Sequence, residues 1–155
     1  MFIAIDPGNS ESAYVVLDNN LKPIEFAKIP NEKLLEILDL KCNNCIPVVI
    51  ENIASYGMSV GASVFETCIW IGRFTERAKM AGASVHLVYR KDVKMNLCGT
   101  TKAKDGNVRQ ALIDRFGEVG VKKAPGWFYK VSKDVWSAIA VGVTYSDMKS
   151  REVRP

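Results

Sequence analysis

The chain has 155 residues, 48% of them hydrophobic and 25% charged, with a net charge of +4. That length suits one domain, here 1–155, large enough to bury a core without disulfides or structural metals. It holds no run of about 18 apolar residues, the length a membrane-spanning helix needs, and its start shows no basic-then-apolar secretory pattern. A cytoplasmic protein without a membrane partner is the expectation.

The elements can be read in chain order. Phe2 to Asp6 is a short apolar run that stops at Pro7-Gly8, a strand ending in a turn. Ala13 to Leu17 and Ile24 to Ile29 read as two more strands around the Asp18-Asn-Asn turn, giving an antiparallel meander. Pro30 to about Leu40 reads as a helix, with Leu34, Leu35 and Leu38 at helical spacing. Ile46-Pro-Val-Val-Ile is a buried strand ending at Glu51. A long helix is expected from Ser59 to Ala81, with Val60, Val64, Cys68, Ile71 and Ala78 on its buried stripe and Gly82 as its stop. Val85 to Tyr89 is a fifth strand. Asp105 to Phe116 is a helix with Asp105 as N-cap. Glu118 to Lys130 reads as loop, and Ser132 opens a final helix through Met148. The order is therefore βββαβαβ followed by two helices. It predicts an α/β fold: a five-stranded mixed sheet, its first three strands antiparallel, with helices on both faces.

The cysteines suggest no metal scaffold. Cys42 and Cys45 form a lone C-x-x-C, Cys68 and Cys98 stand alone, and the one histidine, His86, lies in an apolar run that reads as strand. The charge is unevenly distributed. Between Tyr89 and Lys133 there are eleven Lys or Arg residues against four Asp or Glu, a net +7, which leaves −3 for the rest of the chain. A basic segment beside an acidic remainder suggests one face that meets a polyanion.

Asp6 and Glu51 each stand at the end of an apolar strand. If those strands are neighbours, the two carboxylates meet at one sheet edge, where they repel and lose hydration. A divalent cation relieves both costs, and oxygen ligands suit magnesium or manganese. Asp134, in the first turn of the last helix, is a third candidate, although the helix dipole alone also favours an acid there.

Ile3-Ala-Ile-Asp6-Pro-Gly8 with Tyr14-Val-Val resembles the opening of RuvC-type Holliday junction resolvases, members of the RNase H-like superfamily. Glu51 matches that family's second acid. Asp134-Val-Trp-Ser-Ala-Ile-Ala-Val is similar to its final helix, and Lys102-Ala-Lys-Asp-Gly-Asn-Val-Arg-Gln-Ala-Leu resembles the helix before it, entered through a basic loop. The resemblance covers nearly the whole chain and looks closest to compact versions carried by phages and prophages. It implies a homodimer that cleaves phosphodiester bonds in four-way or other branched DNA by in-line attack of water. It also implies two Mg2+ ions (Mn2+ able to substitute) held by Asp6, Glu51 and Asp134. Where the family carries a fourth acid this chain has Ser137, which reaches a metal only through water. Asp105 is an alternative fourth acid, and Asp147 lies too far along its helix to take part. Lys102, Lys104 and Arg109 are the first candidates for phosphate contacts, with Lys122 and Lys123 beyond them. Tyr56 and Met58 are candidate wedges at a branch point. Trp127, Phe128 and Tyr129 either stack on nucleotides or anchor their loop, while Trp70 and Trp136 read as core.

Other functions stay open on the same carboxylates. One is cleavage of RNA–DNA hybrids or flaps; another is non-catalytic nucleic-acid binding on the same fold. An actin-like kinase is excluded by length and by the lack of a Gly-rich phosphate loop.

Overall fold

The structure is a computed structural model and describes residues 1–42 and 46–152. Strands β1 (Phe2–Asp6), β2 (Glu11–Leu17) and β3 (Pro23–Pro30) are followed by helix α1 (Asn31–Lys41) and strand β4 (Val48–Asn52). Helix α2 (Ala62–Met80), strand β5 (Val85–Tyr89), and helices α3 (Arg90–Cys98) and α4 (Asp105–Phe116) come next. A small hairpin, β6 (Gly120–Val121) and β7 (Ala124–Pro125), precedes the last helix, α5 (Lys133–Glu152).

The main sheet has the order β3-β2-β1-β4-β5. β1, β2 and β3 pair antiparallel, whereas β4 runs parallel to both β1 and β5. The expected α/β fold with a five-stranded mixed sheet is therefore present. Alternation along the strands separates two cores. Phe2, Ala4, Val15, Leu17, Val49 and Val88 face α5. Ile3, Ile5, Tyr14, Val16, Val48 and Ile50 face α1 and α2. Helices thus cover both faces.

The same parity places the acids. Asp6 continues the Phe2, Ala4 series and Glu51 continues from Val49, so both belong to the face covered by α5. α5 lies close on that face because Gly142 has no side chain. A Cβ there would stand 2.5 Å from the Leu17 side chain and 3.1 Å from both Ala4 and Phe2. The turn after β1 is held by a buried polar chain. The Gly8 N–H donates to Ser12 Oγ at 3.0 Å, Ser12 Oγ donates to Asn31 Oδ1 at 2.6 Å, and Asn31 Nδ2 donates to the Gly8 carbonyl at 2.9 Å.

Four expectations need correction. Three helices, not two, follow β5: α3 starts directly on the strand end and buries only Val93, which leaves too thin a stripe to read. α2 begins at Ala62 and buries Thr67, Ile71, Phe74 and Ala78. Its expected stripe was rotated, because Cys68 is exposed and Phe65 and Ile69 add an apolar outer face. Asp105 is the first residue of α4 rather than its cap; Asn107 Oδ1 accepts the Lys104 N–H at 2.9 Å instead. The segment expected to be loop from Glu118 to Lys130 contains the β6–β7 hairpin.

Candidate active site

The site is a row across the sheet. Lys28 of β3 lies opposite Ala13 of β2, and Ala13 lies opposite Asp6 of β1. Ile5 pairs with Ile50 in parallel register, so the next position sets Asp6 beside Glu51. Glu51 in turn lies opposite Val88 of β5. The first turn of α5 sets Asp134 above this row, and Lys28 Nζ reaches the Asp134 carboxylate at 2.7 Å.

The electrostatics are uneven. Burial, then the neighbouring Glu51 carboxylate, push the Asp6 carboxyl far above the usual carboxylate range, to about 8; Asp134 adds a smaller repulsion and Arg90 partly offsets it. Glu51 is held by Arg90, whose Nη1 donates to Oε1 at 3.0 Å and to Oε2 at 3.3 Å. The other arm of the same guanidinium donates to Asp105 Oδ1 at 2.6 Å. Beside these groups lies a cavity of about 460 Å³. Its walls carry three carboxylates, Glu51, Asp105 and Asp134, and four cations, Arg90, Lys94, Arg109 and Lys133, together with Ser137.

The donor set suits a hard divalent cation at Asp6. Two carboxylates stand side by side at a partly buried edge, where burial and the Glu51 charge disfavour an ionised Asp6, a cost that a divalent cation would relieve. As the side chains stand, no three His, Cys, Asp or Glu residues among those described are grouped closely enough to enclose a metal. Glu51 is engaged by Arg90 and Asp134 by Lys28. A three-acid site at Asp6 therefore requires the Lys28–Asp134 pair to open, while Glu51 can offer an ion the remaining lone pairs of the oxygens that Arg90 contacts.

The expected residues divide into three groups. Asp6, Glu51 and Asp134 are brought to one edge, and Ser137 and Arg109 line the adjoining cavity, where Arg109 lies 5.1 Å over the Trp136 ring. Lys102 and Lys104 are exposed at the entry to α4, and Lys122 and Lys123 are exposed in the turn of the β6–β7 hairpin, outside the cavity wall. Tyr56 and Met58 project from the loop after β4, 56% and 71% exposed, with Lys91 Nζ 5.0 Å over the Tyr56 ring. Phe128 is fully buried, and Trp127 stacks on Phe116 at 5.5 Å, so both anchor their loop. Trp136 is core and Trp70 partly so. His86 is a strand residue beside Tyr145. Asp147 is bound to Arg115 and Asn96, on other business than the Asp6 row. Cys42 is buried, and its C-x-x-C partner Cys45 lies outside the described residues.

Sequence reasoning missed Arg90, Lys28, Lys94 and Lys133 as site residues. For Arg90 a signal existed: it directly follows β5, and a parallel pairing of β4 with β5 brings the ends of both strands together. Lys28 lies two strands from Asp6 and needed the full register.

No family model matches the sequence, and no curated protein matches it. The solved structures similar to it over nearly the full length include two of RuvC. RuvC from Thermus thermophilus gives a TM-score of 0.67 at 16% identity, over 97% of this chain and 96% of that one. T. thermophilus RuvC in complex with Holliday junction substrate gives 0.62 at 18% identity, over 97% and 98%. At this identity the likeness speaks for architecture: the chain has the RuvC-type, RNase H-like fold.

Proposed function

We propose that the chain is a metal-dependent, structure-specific endodeoxyribonuclease that cuts four-way or otherwise branched DNA. The carrying observation is the meeting of Asp6, Glu51 and Asp134 at one edge of this fold, beside a cavity walled by Arg90, Lys94, Arg109 and Lys133. The similar T. thermophilus structure in complex with a Holliday junction supports the choice of substrate. Asp6, Glu51 and Asp134 would hold Mg2+ or Mn2+, with Ser137 reaching an ion through water. Such ions supply Lewis-acid activation of water and charge stabilisation at the leaving oxygen. The chain's own contribution is placement. Asp6 would hold the ion as a carboxylate, and the cations of the cavity wall would hold the phosphate backbone in reach of the carboxylates.

Lys102, Lys104, Lys122 and Lys123 would extend phosphate contacts away from the cut, with Tyr56 and Met58 set against an opened base step. A two-fold dimer would present two sites to the two strands of a junction. The exposed Phe65 and Ile69 on the outer face of α2 support a self-association surface. No helix among the described residues is long and apolar enough to cross a membrane.

The test compares a labelled four-way junction with linear duplex, flap and RNA–DNA hybrid, each with Mg2+ and with chelator. Cutting of the junction in preference to duplex, only with metal, is expected. Equal cutting of duplex, or cutting in chelator, would overturn the proposal.

A further inference from the structure

The Arg90 guanidinium covers both oxygens of Glu51, at 3.0 and 3.3 Å, and is fixed at its other arm by Asp105 at 2.6 Å. Glu51 itself is nearly enclosed, with its side chain 10% exposed. An arginine stays charged at every working pH, and its planar fork gives two anchored contacts where a lysine gives a point charge. The cavity around it already carries as many cations as carboxylates even when Asp6 is added to the wall residues. Ser137 supplies no charge of its own.

From this arrangement we infer that Arg90 takes the place of a second metal ion, so that the site holds one divalent cation and one fixed guanidinium. The inference rests on the metal-site reading above and sharpens it. An ion drawn to Asp6 meets a carboxyl that feels the Arg90 charge but forms no ion pair among the described residues. A second ion, drawn to Glu51, meets a guanidinium already spread over both carboxylate oxygens. Bringing it in requires breaking the contacts to Glu51 and leaving Arg90 beside a new double charge. Arg90 cannot swing clear without also releasing Asp105 at the first turn of α4. The guanidinium is therefore a positioning residue: it sets the Glu51 carboxylate and supplies the positive charge on that side. The Lys28–Asp134 pair is no equivalent, because its acid is 42% exposed where Glu51 is 10% exposed, and its lysine makes one close contact where Arg90 is tied to two acids.

The experiment counts Mn2+ bound to the full chain without DNA, by electron paramagnetic resonance of free Mn2+ and by calorimetry. Wild type should bind one ion. Arg90→Gln should bind two, the second at least tenfold tighter than any second ion in wild type. Arg90→Lys, which keeps the charge but loses the fork, should bind a second ion more weakly than Arg90→Gln and more tightly than wild type. Ser137→Asp, which adds an acid but leaves Arg90 in place, should bind one, like wild type. Two comparable ions on wild type, or a second ion gained by Ser137→Asp alone, would overturn the inference. Should Arg90→Gln fail to fold by circular dichroism, the counts on wild type and Ser137→Asp decide the matter. Zero ions on wild type would instead overturn the metal-site reading itself.

Discussion

The two flanks of Asp6 are built differently. On one side Glu51 is nearly enclosed and gripped by an arginine with two anchors. On the other side Asp134 sits at a helix start, half exposed, and meets a lysine that Glu11 also approaches at 3.8 Å. Both flanks place an acid and a cation side by side, yet they differ in how much must move before the acid is free. Arg90 is as exposed as Lys28, but the acid it holds is enclosed and the guanidinium is tied to Asp105 as well, so freeing Glu51 breaks contacts to two acids. An exposed lysine pair contributes little and exchanges readily with solvent or a competing ion. Equal sets of charges therefore do not make equal ligands: what holds each carboxylate matters as much as where it points.

The largest effect should come from removing the residue that both flanks serve. Asp6→Asn should cut junction cleavage about 10³-fold or more, since the charge stabilisation lost is worth several kcal/mol. Junction binding measured by gel shift should stay within a few-fold. Near-normal cleavage by this variant would show that neither flank organises the reaction. Next comes the seat of the Asp134 flank. Gly142→Ala places a methyl against Leu17, Ala4 and Phe2 and should destabilise the fold by about 1–3 kcal/mol in urea titrations. An unchanged midpoint would mean that α5 can lift without cost.

The pH dependence probes the Glu51 flank. Asp6 binds its proton more tightly folded than unfolded, so the resulting stability is complete below the ordinary value of 3.8 and is lost as pH rises through about 8. In chelator, Tm should therefore fall between about pH 5 and pH 8, and added Mg2+ should raise Tm more at the upper end than at the lower. A metal effect independent of pH across that window would argue that the cation does not replace the Asp6 proton. The smallest effect belongs to the exposed pair. Lys28→Ala should leave the midpoint of the same urea titration essentially unchanged. A larger loss would make the two flanks alike after all.

Much of this site could be read before any coordinates. Asp6 and Glu51 declare themselves because strand alternation is strict: an acid that follows apolar residues at a strand end can be assigned to a face once the neighbours are known. The antiparallel meander and the mixed sheet followed from three close strands and two crossovers, whereas the adjacency of β1 and β4 came only with the full strand order. What stayed hidden depended on distant pairing or thin patterns. Arg90 is 39 positions from Glu51 and meets it only because β4 and β5 run parallel. Helix α3 buries one residue, Val93, so periodicity had almost nothing to register. α2 misled for the opposite reason, because Phe65 and Ile69 give it apolar residues on its outer side as well.

Gly142 carries a consequence beyond packing. It stands eight residues along α5 from Asp134, a little over two turns, or about 12 Å of helix. A rigid helix pivoting where it touches the sheet behaves as a lever, so a small displacement at Gly142 is transmitted to the acid at its far end. The alignment of Asp134 with the Asp6 row is thus stored in the hydrophobic core, in the space where a single methyl group is missing.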